Sequence, residues 1–176
     1  MTWEAIAGLS SAVIALCAFA LTIWQAYIAR RHNMLSVTPH LTTWSHMDKV
    51  NNKYEVQLLN NGIGPAFIRS FQIQVDGQPI TGEGYEPIEK ALKGLFPQSQ
   101  YTSYQAFVAR GYAMAVNESR LLVTLQFLGD NVPPIEEVER NFKRARLLIE
   151  YSSIYEQPFV LDSDALRANP AVQGTL

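Results

Sequence analysis

Between Ala5 and Trp24 lie twenty residues without a charged side chain, and this run restricts the fold more than any other feature of the chain. A helix rises ~1.5 Å per residue, so the run covers about 30 Å, the thickness of a bilayer's hydrocarbon core. Ser10, Ser11 and Thr22 are its only clearly polar members. Trp3 stands before it, and Trp24 and Tyr27 close it, in the positions of interfacial aromatic belts. A cleaved signal sequence carries positive charge ahead of its apolar run; here only Met1, Thr2, Trp3 and Glu4 precede Ala5. A lipoprotein signal places a small residue before its cysteine, and Leu16 precedes Cys17. A helix apolar on every side is rare in the core of a domain this small. The sequence therefore predicts a membrane-spanning helix.

The flanks orient it. Arg30 and Arg31 follow the run and no basic side chain precedes it. The positive-inside rule then predicts a single-pass membrane protein with its N-terminus outside and its soluble part in the cytoplasm. Trp3, Trp24, Tyr27, Arg30 and Arg31 are the expected membrane-interface residues. Ala7, Ser11, Ala15 and Ala18 share one face at helical spacing. Small residues let helix backbones approach in lipid, so this stripe is the expected helix–helix packing surface of a homo-oligomer.

Beyond the anchor the hydrophobic period changes to two. Tyr54, Val56 and Leu58 alternate with Glu55 and Gln57, and Phe71, Ile73 and Val75 with Gln72 and Gln74. Leu121, Val123, Leu125 and Phe127 share one parity, as do Ala145, Leu147, Ile149 and Tyr151. Such alternation marks half-buried strands. Further strands are expected over 41–47, 101–108 and 157–161, about seven in all. Asn60-Asn61-Gly62 and Asp76-Gly77 supply turns. Pro87 to Gly94 and Pro134 to Phe142 carry helical spacing, with Glu89 and Lys93 placed to pair and Gly94 placed to stop the first helix. The fold class expected is mainly β: one transmembrane helix, then an antiparallel immunoglobulin-like sandwich with one or two short helices. The expected divisions are an anchor with basic flank (1–31), a juxtamembrane connector (32–40) closed by Pro39, the sandwich (41–167) and a frayed tail (168–176).

The stretch Leu58-Leu59-Asn60-Asn61-Gly62-Ile63-Gly64-Pro65-Ala66-Phe67-Ile68, continuing to Val75-Asp76-Gly77, resembles the strand–turn–strand core of bacterial immunoglobulin-like adhesion-type domains. The order of an apolar helix and then Arg31-His32-Asn33-Met34-Leu35-Ser36-Val37-Thr38-Pro39 resembles uncharacterised bacterial single-pass membrane proteins. These resemblances cover about twenty and about ten residues. They imply a fold and an architecture, and transfer no activity and no site residue.

Composition and motifs narrow the chemistry. Without the segment through Arg31 the chain has 12 basic and 15 acidic residues, a net charge of −3, so no nucleic-acid partner is expected. The single cysteine, Cys17, lies in the apolar run, which rules out an intrachain disulfide and a cysteine-ligated metal. Gly62-Ile63-Gly64 begins like a dinucleotide loop, but Phe67 stands where the third glycine belongs and Pro65 removes an amide. His40 and His46 share a parity with Asp48, but the two histidines lie six residues apart, too far to chelate alone, and a metal site would need a fourth group from elsewhere. Asp162-Ser163-Asp164 lacks the glycine and distal glutamate of a calcium loop and reads as a polar turn. No cofactor and no catalytic signature emerge. Arg140, Lys143, Arg144 and Arg146 form the one candidate edge for an anion or lipid headgroups. Tyr151, Tyr155 and Phe159 read as packing aromatics that could also line a groove. The leading expectation is a non-enzymatic, membrane-anchored sensing or interaction module that binds an unknown protein or small ligand. The alternative is a small membrane-acting effector of bacterial defence or stress, whose transmembrane helices oligomerise to perturb the bilayer.

Overall fold

The computed structural model describes residues 2–129 and 132–168. It divides into two compact units, 1–37 and 38–176, the first essentially one helix. Helix α1 (Trp3–Leu35) has 33 residues and buries none of them. It is long and apolar enough to cross a membrane. The helix continues through Arg30 and Arg31 to Leu35, so the first four residues of the expected connector are helical. Residues 31–35 contain neither glycine nor proline, and nothing local breaks the backbone ladder before Ser36. The tail expected over 168–176 lies, after Ala168, outside the described residues.

The second unit carries two sheets, and every strand pair in them is antiparallel. Strands β1 (Leu41–Asp48), β2 (Lys53–Asn60), β5 (Tyr101–Gln105) and β7 (Ser119–Phe127) form one, in the order β1-β2-β7-β5. Strands β3 (Ala66–Val75), β4 (Gln78–Ile80), β8 (Ala145–Ser152) and β9 (Pro158–Asp162) form the other, in the order β4-β3-β8-β9, with β6 (Ala113–Met114) added against β3. The seven expected strands are present, and β4 and β6 are additional. Among the described residues strand and helix each account for 35%, an equal share where a mainly β chain was expected. Much of the helix is α1, which was expected. The remainder is α2 (Glu86–Leu95), α3 (Ile135–Lys143) and α4 (Ser163–Ala168).

Local chemistry explains the hairpins. Val75 pairs with Gln78 across Asp76-Gly77, and both turn residues have positive φ, 52° and 78°. That is the two-residue turn whose twist matches paired strands, and asparagine, aspartate and glycine tolerate it best. In α2, Lys90 pairs with Glu86 and Lys93 with Glu89 one turn apart. Gly94 does not end that helix; it lies in its last turn, before Leu95. The simple parity expected for β7 breaks where its register against β2 shifts at Val56/Gln57. The extra residue of that bulge lets Leu122 and Val123 both be buried. Leu58, Ile68, Leu125 and Ile149, drawn from both sheets, are fully buried in one core that also takes Ile88, Leu92 and Leu95 of α2.

Asparagine 60 fixes the turn that the sequence singled out. Its side chain is fully buried. Nδ2 donates to the carbonyls of Gly64 (2.9 Å), Met114 (3.3 Å) and Ala115 (3.1 Å), while Oδ1 accepts from the amides of His40 (3.2 Å) and Gly62 (3.1 Å). The backbone beside it runs against the 38–40 segment: Asn61 N–H donates to His40 (2.8 Å) and Ile63 N–H to Thr38 (3.0 Å). A Cβ on Gly62 would lie 2.3 Å from the His40 nitrogen. The glycine is therefore required by the close passage of two backbones.

Candidate functional site

The packing of the second unit leaves a large space. A cavity of about 720 Å³ is lined by both sheets and by α2, α3 and α4. Val56, Phe71, Ile73, Phe142, Leu147 and Leu166 line it, and each is only half-buried although packed against the core. Side chains of this type on the inner faces of two sheets normally close on one another at crystal-like density. Here they face open space whose size lies within the range of about 300–1,000 Å³ typical of small-molecule sites. Thr42, Thr43, Trp44 and Ser45 of the edge strand β1 also line it.

Register explains which groups reach the cavity. Ser45 pairs with Val56 and Met47 with Tyr54, so these four side chains share the inner face of the first sheet. In the second sheet Phe71 pairs with Ile149, Ile73 with Leu147 and Val75 with Ala145. The Tyr54 ring stacks on Phe142 with centroids 4.4 Å apart. Phe142 in turn packs against Phe96, which meets Tyr101 and Phe127. Burial raises the Tyr54 phenol above its ordinary value, and the partnering Ser45 hydroxyl opposes that rise. Tyr54 therefore stays protonated near neutral pH, a hydroxyl at the wall of an apolar space.

The charged residues around the cavity are already engaged. Arg146 grips Asp162 with both ends of the carboxylate, at 3.0 and 2.5 Å. Arg167 donates to the carbonyls of Phe142, Lys143 and Ala145 and to Asp164 at 3.1 Å. It thereby satisfies carbonyls that the end of α3 leaves without helical partners. Ser163, buried at the start of α4, accepts the Leu147 amide at 2.9 Å. The expected polar turn at Asp162-Ser163-Asp164 is in fact a helix start, with Asp162 Oδ1 accepting the Asp164 amide. The signal was present in the sequence: a capping aspartate followed by Ala165, Leu166, Arg167 and Ala168, all good helix formers.

No known protein-family profile matches this chain, and no curated protein is significantly similar to it.

The residues singled out from sequence fall into three groups. Of the basic edge, Arg144 pairs bidentately with Asp76 (2.9 and 2.5 Å) and Arg146 with Asp162, while Arg140 and Lys143 are exposed on α3. On α1, Ala7, Ser11, Ala15 and Ala18 are all exposed, and Ser11 Oγ donates to the Ala7 carbonyl at 2.8 Å. With that donor used inside its own helix, close approach along the stripe rests on dispersion contacts. Trp3, Trp24, Tyr27, Arg30 and Arg31 lie on the same exposed helix, with Trp24 and Tyr27 in ring contact at 6.5 Å. The third group is dispersed. His46 stacks on Trp44 at 5.3 Å, and the Asp48 carboxylate accepts the amides of Val50 and Asn51. Tyr151 is buried, stacks on Phe159 and accepts the Leu41 amide on its hydroxyl, whereas Tyr155 is exposed. The cavity itself was not found from sequence.

Proposed function

We propose that the chain is a non-enzymatic, membrane-anchored sensing module whose second unit binds a small apolar ligand in the cavity between its sheets. The observation that carries this reading is the space of about 720 Å³ faced by half-buried Val56, Phe71, Ile73, Phe142, Leu147 and Leu166. Water gains little in such surroundings, and an apolar molecule gains the area it removes from solvent. Arg30 and Arg31, which follow the apolar run, support a cytoplasmic position for this unit, on a helix that would keep it at the inner membrane.

The immunoglobulin-like reading is supported by strand order. The order β1-β2-β7-β5 corresponds to A-B-E-D of that fold, and β3-β8-β9 to C-F-G, with β4 in the place of an added C′ strand. The long insertion after Gly77 then holds β4 and α2, and α2 supplies part of the cavity wall. Fold does not specify function, so the functional reading rests on the cavity.

The test is to purify the full-length protein from membranes and analyse its organic extract by mass spectrometry. Ala145→Phe, on the inner face of β8, fills the cavity with an aromatic ring. A small apolar compound enriched with the wild type and lost from the filled variant is the expected result. Identical extracts from the two proteins would overturn the reading.

A further inference from the structure

The lining chemistry specifies more than an apolar ligand. On the reading that the cavity is a ligand site, we infer that its ligand is uncharged and carries one hydrogen-bonding group, seated against the Tyr54 and Ser45 hydroxyls. An anion entering the cavity meets no uncommitted cation among the lining residues. Arg146 is held by both oxygens of Asp162, and Arg167 is spread over three main-chain carbonyls and Asp164. A cation meets no carboxylate among the lining residues at all. Either ion would leave water for an apolar space without a counter-charge, which is strongly unfavourable.

Of the neutral polar groups in the lining, the Asn61 amide donates to Thr42 Oγ1 at 2.7 Å, Ser163 accepts the Leu147 amide and the Trp44 ring stacks on His46, which leaves the hydroxyls of Thr43, Ser45 and Tyr54. Ser45 lies diagonally from Tyr54 on the inner face of β1 and β2, and its hydroxyl partners the Tyr54 oxygen. A serine that donates to that oxygen leaves the phenolic proton available to a ligand carbonyl or hydroxyl. The Tyr54 ring is fixed by its stacking on Phe142, so the proton is offered from a fixed position. A molecule with an apolar body and a single alcohol, ketone or ester end matches this arrangement; a fatty acid or an alkylamine does not.

The experiment uses the full-length chain in phosphatidylcholine nanodiscs, with Cys17→Ser to remove the native thiol. Ile73→Cys then places a thiol in the cavity wall, and its alkylation by N-ethylmaleimide is timed. Dodecanol, dodecanoate and dodecylamine are compared at equal mole fraction in the bilayer. Val160→Cys, on an exposed site of β9, reports any effect of the bilayer on the reagent itself. Dodecanol is expected to slow alkylation at position 73 at least fivefold, with less than twofold from the two charged amphiphiles and no change at position 160. Tyr54→Phe should weaken the protection by dodecanol about fivefold, the worth of one neutral hydrogen bond, while leaving protection by dodecane unchanged. Equal or better protection by a charged amphiphile would overturn this inference and leave the cavity reading standing. Protection by none of the three would overturn both.

Discussion

Gly62→Ala isolates the close backbone passage on which the entry to the second unit is built. The added Cβ would lie 2.3 Å from the His40 nitrogen and 2.6 Å from both the carbonyl carbon and Cα of Pro39. These are main-chain atoms, so relief requires one strand to move away from the other. Three hydrogen bonds span the passage: Asn61 N–H to His40, Ile63 N–H to Thr38, and His40 N–H to the Asn60 side chain. At about 1 kcal/mol each their loss costs roughly 3 kcal/mol. For a chain of this size about 2–4 °C is lost per kcal/mol, so Tm should fall by about 6–12 °C. Near-ultraviolet circular dichroism of the full-length protein in detergent follows this transition. Gly94→Ala is the matched control. Its Cβ meets nothing within 4 Å and it lies in the last turn of α2, so it should stabilise by about 0.5–1 kcal/mol. A Gly62→Ala protein melting within 1 °C of wild type, on the order of a few tenths of a kcal/mol, would refute the steric argument.

Three further outcomes are expected. Asn60→Ala removes a buried side chain with five hydrogen bonds and leaves the His40 and Gly62 amides without that partner, costing about 3 kcal/mol or more in the same melting assay. Arg146, hydrogen-bonded to Asp162, holds that carboxyl below its ordinary value. The stabilisation is therefore complete above the ordinary aspartate range and is lost as pH falls through the lowered folded-state value. Melting temperatures from pH 7 to 2 should show a smaller acid-induced decline for Asp162→Asn than for wild type. An alkaline phosphatase fused after Leu176 should be inactive, and the same enzyme fused ahead of Met1 with its own export signal removed should be active, as the arginine flank of α1 requires.

The parts of this fold that local chemistry determines were readable before the structure. Alternation in β2, β3 and β8 and the Asp76-Gly77 turn located the strands to within a few residues because period and turn type are properties of neighbours in sequence. The uncharged run identified α1 for the same reason, and the helix ends at Leu35, short of Pro39, the first residue that forbids it. Residues that act across the fold were not readable. Gly62 is required by Pro39 and His40, which pass beside it only after folding. Arg144 and Arg146 looked like an open basic edge until β-pairing brought Asp76 and Asp162 to them. The cavity is the extreme case, since its wall is drawn from residues between Thr42 and Arg167 and its apolar members carry the same pattern as a closed core. Only the failure of Val56, Phe71 and Leu147 to become fully buried distinguishes them.

Hydrogen exchange of the full-length protein in nanodiscs, with and without dodecanol, tests the central claim most directly. A ligand between the sheets should slow exchange in the β1 and β2 segments around Ser45 and Tyr54, in α2 and in α4, while the Asp76-Gly77 hairpin stays unchanged. Slowing confined to α1, or no slowing anywhere in the second unit, would contradict the assignment of the intersheet cavity as the binding site.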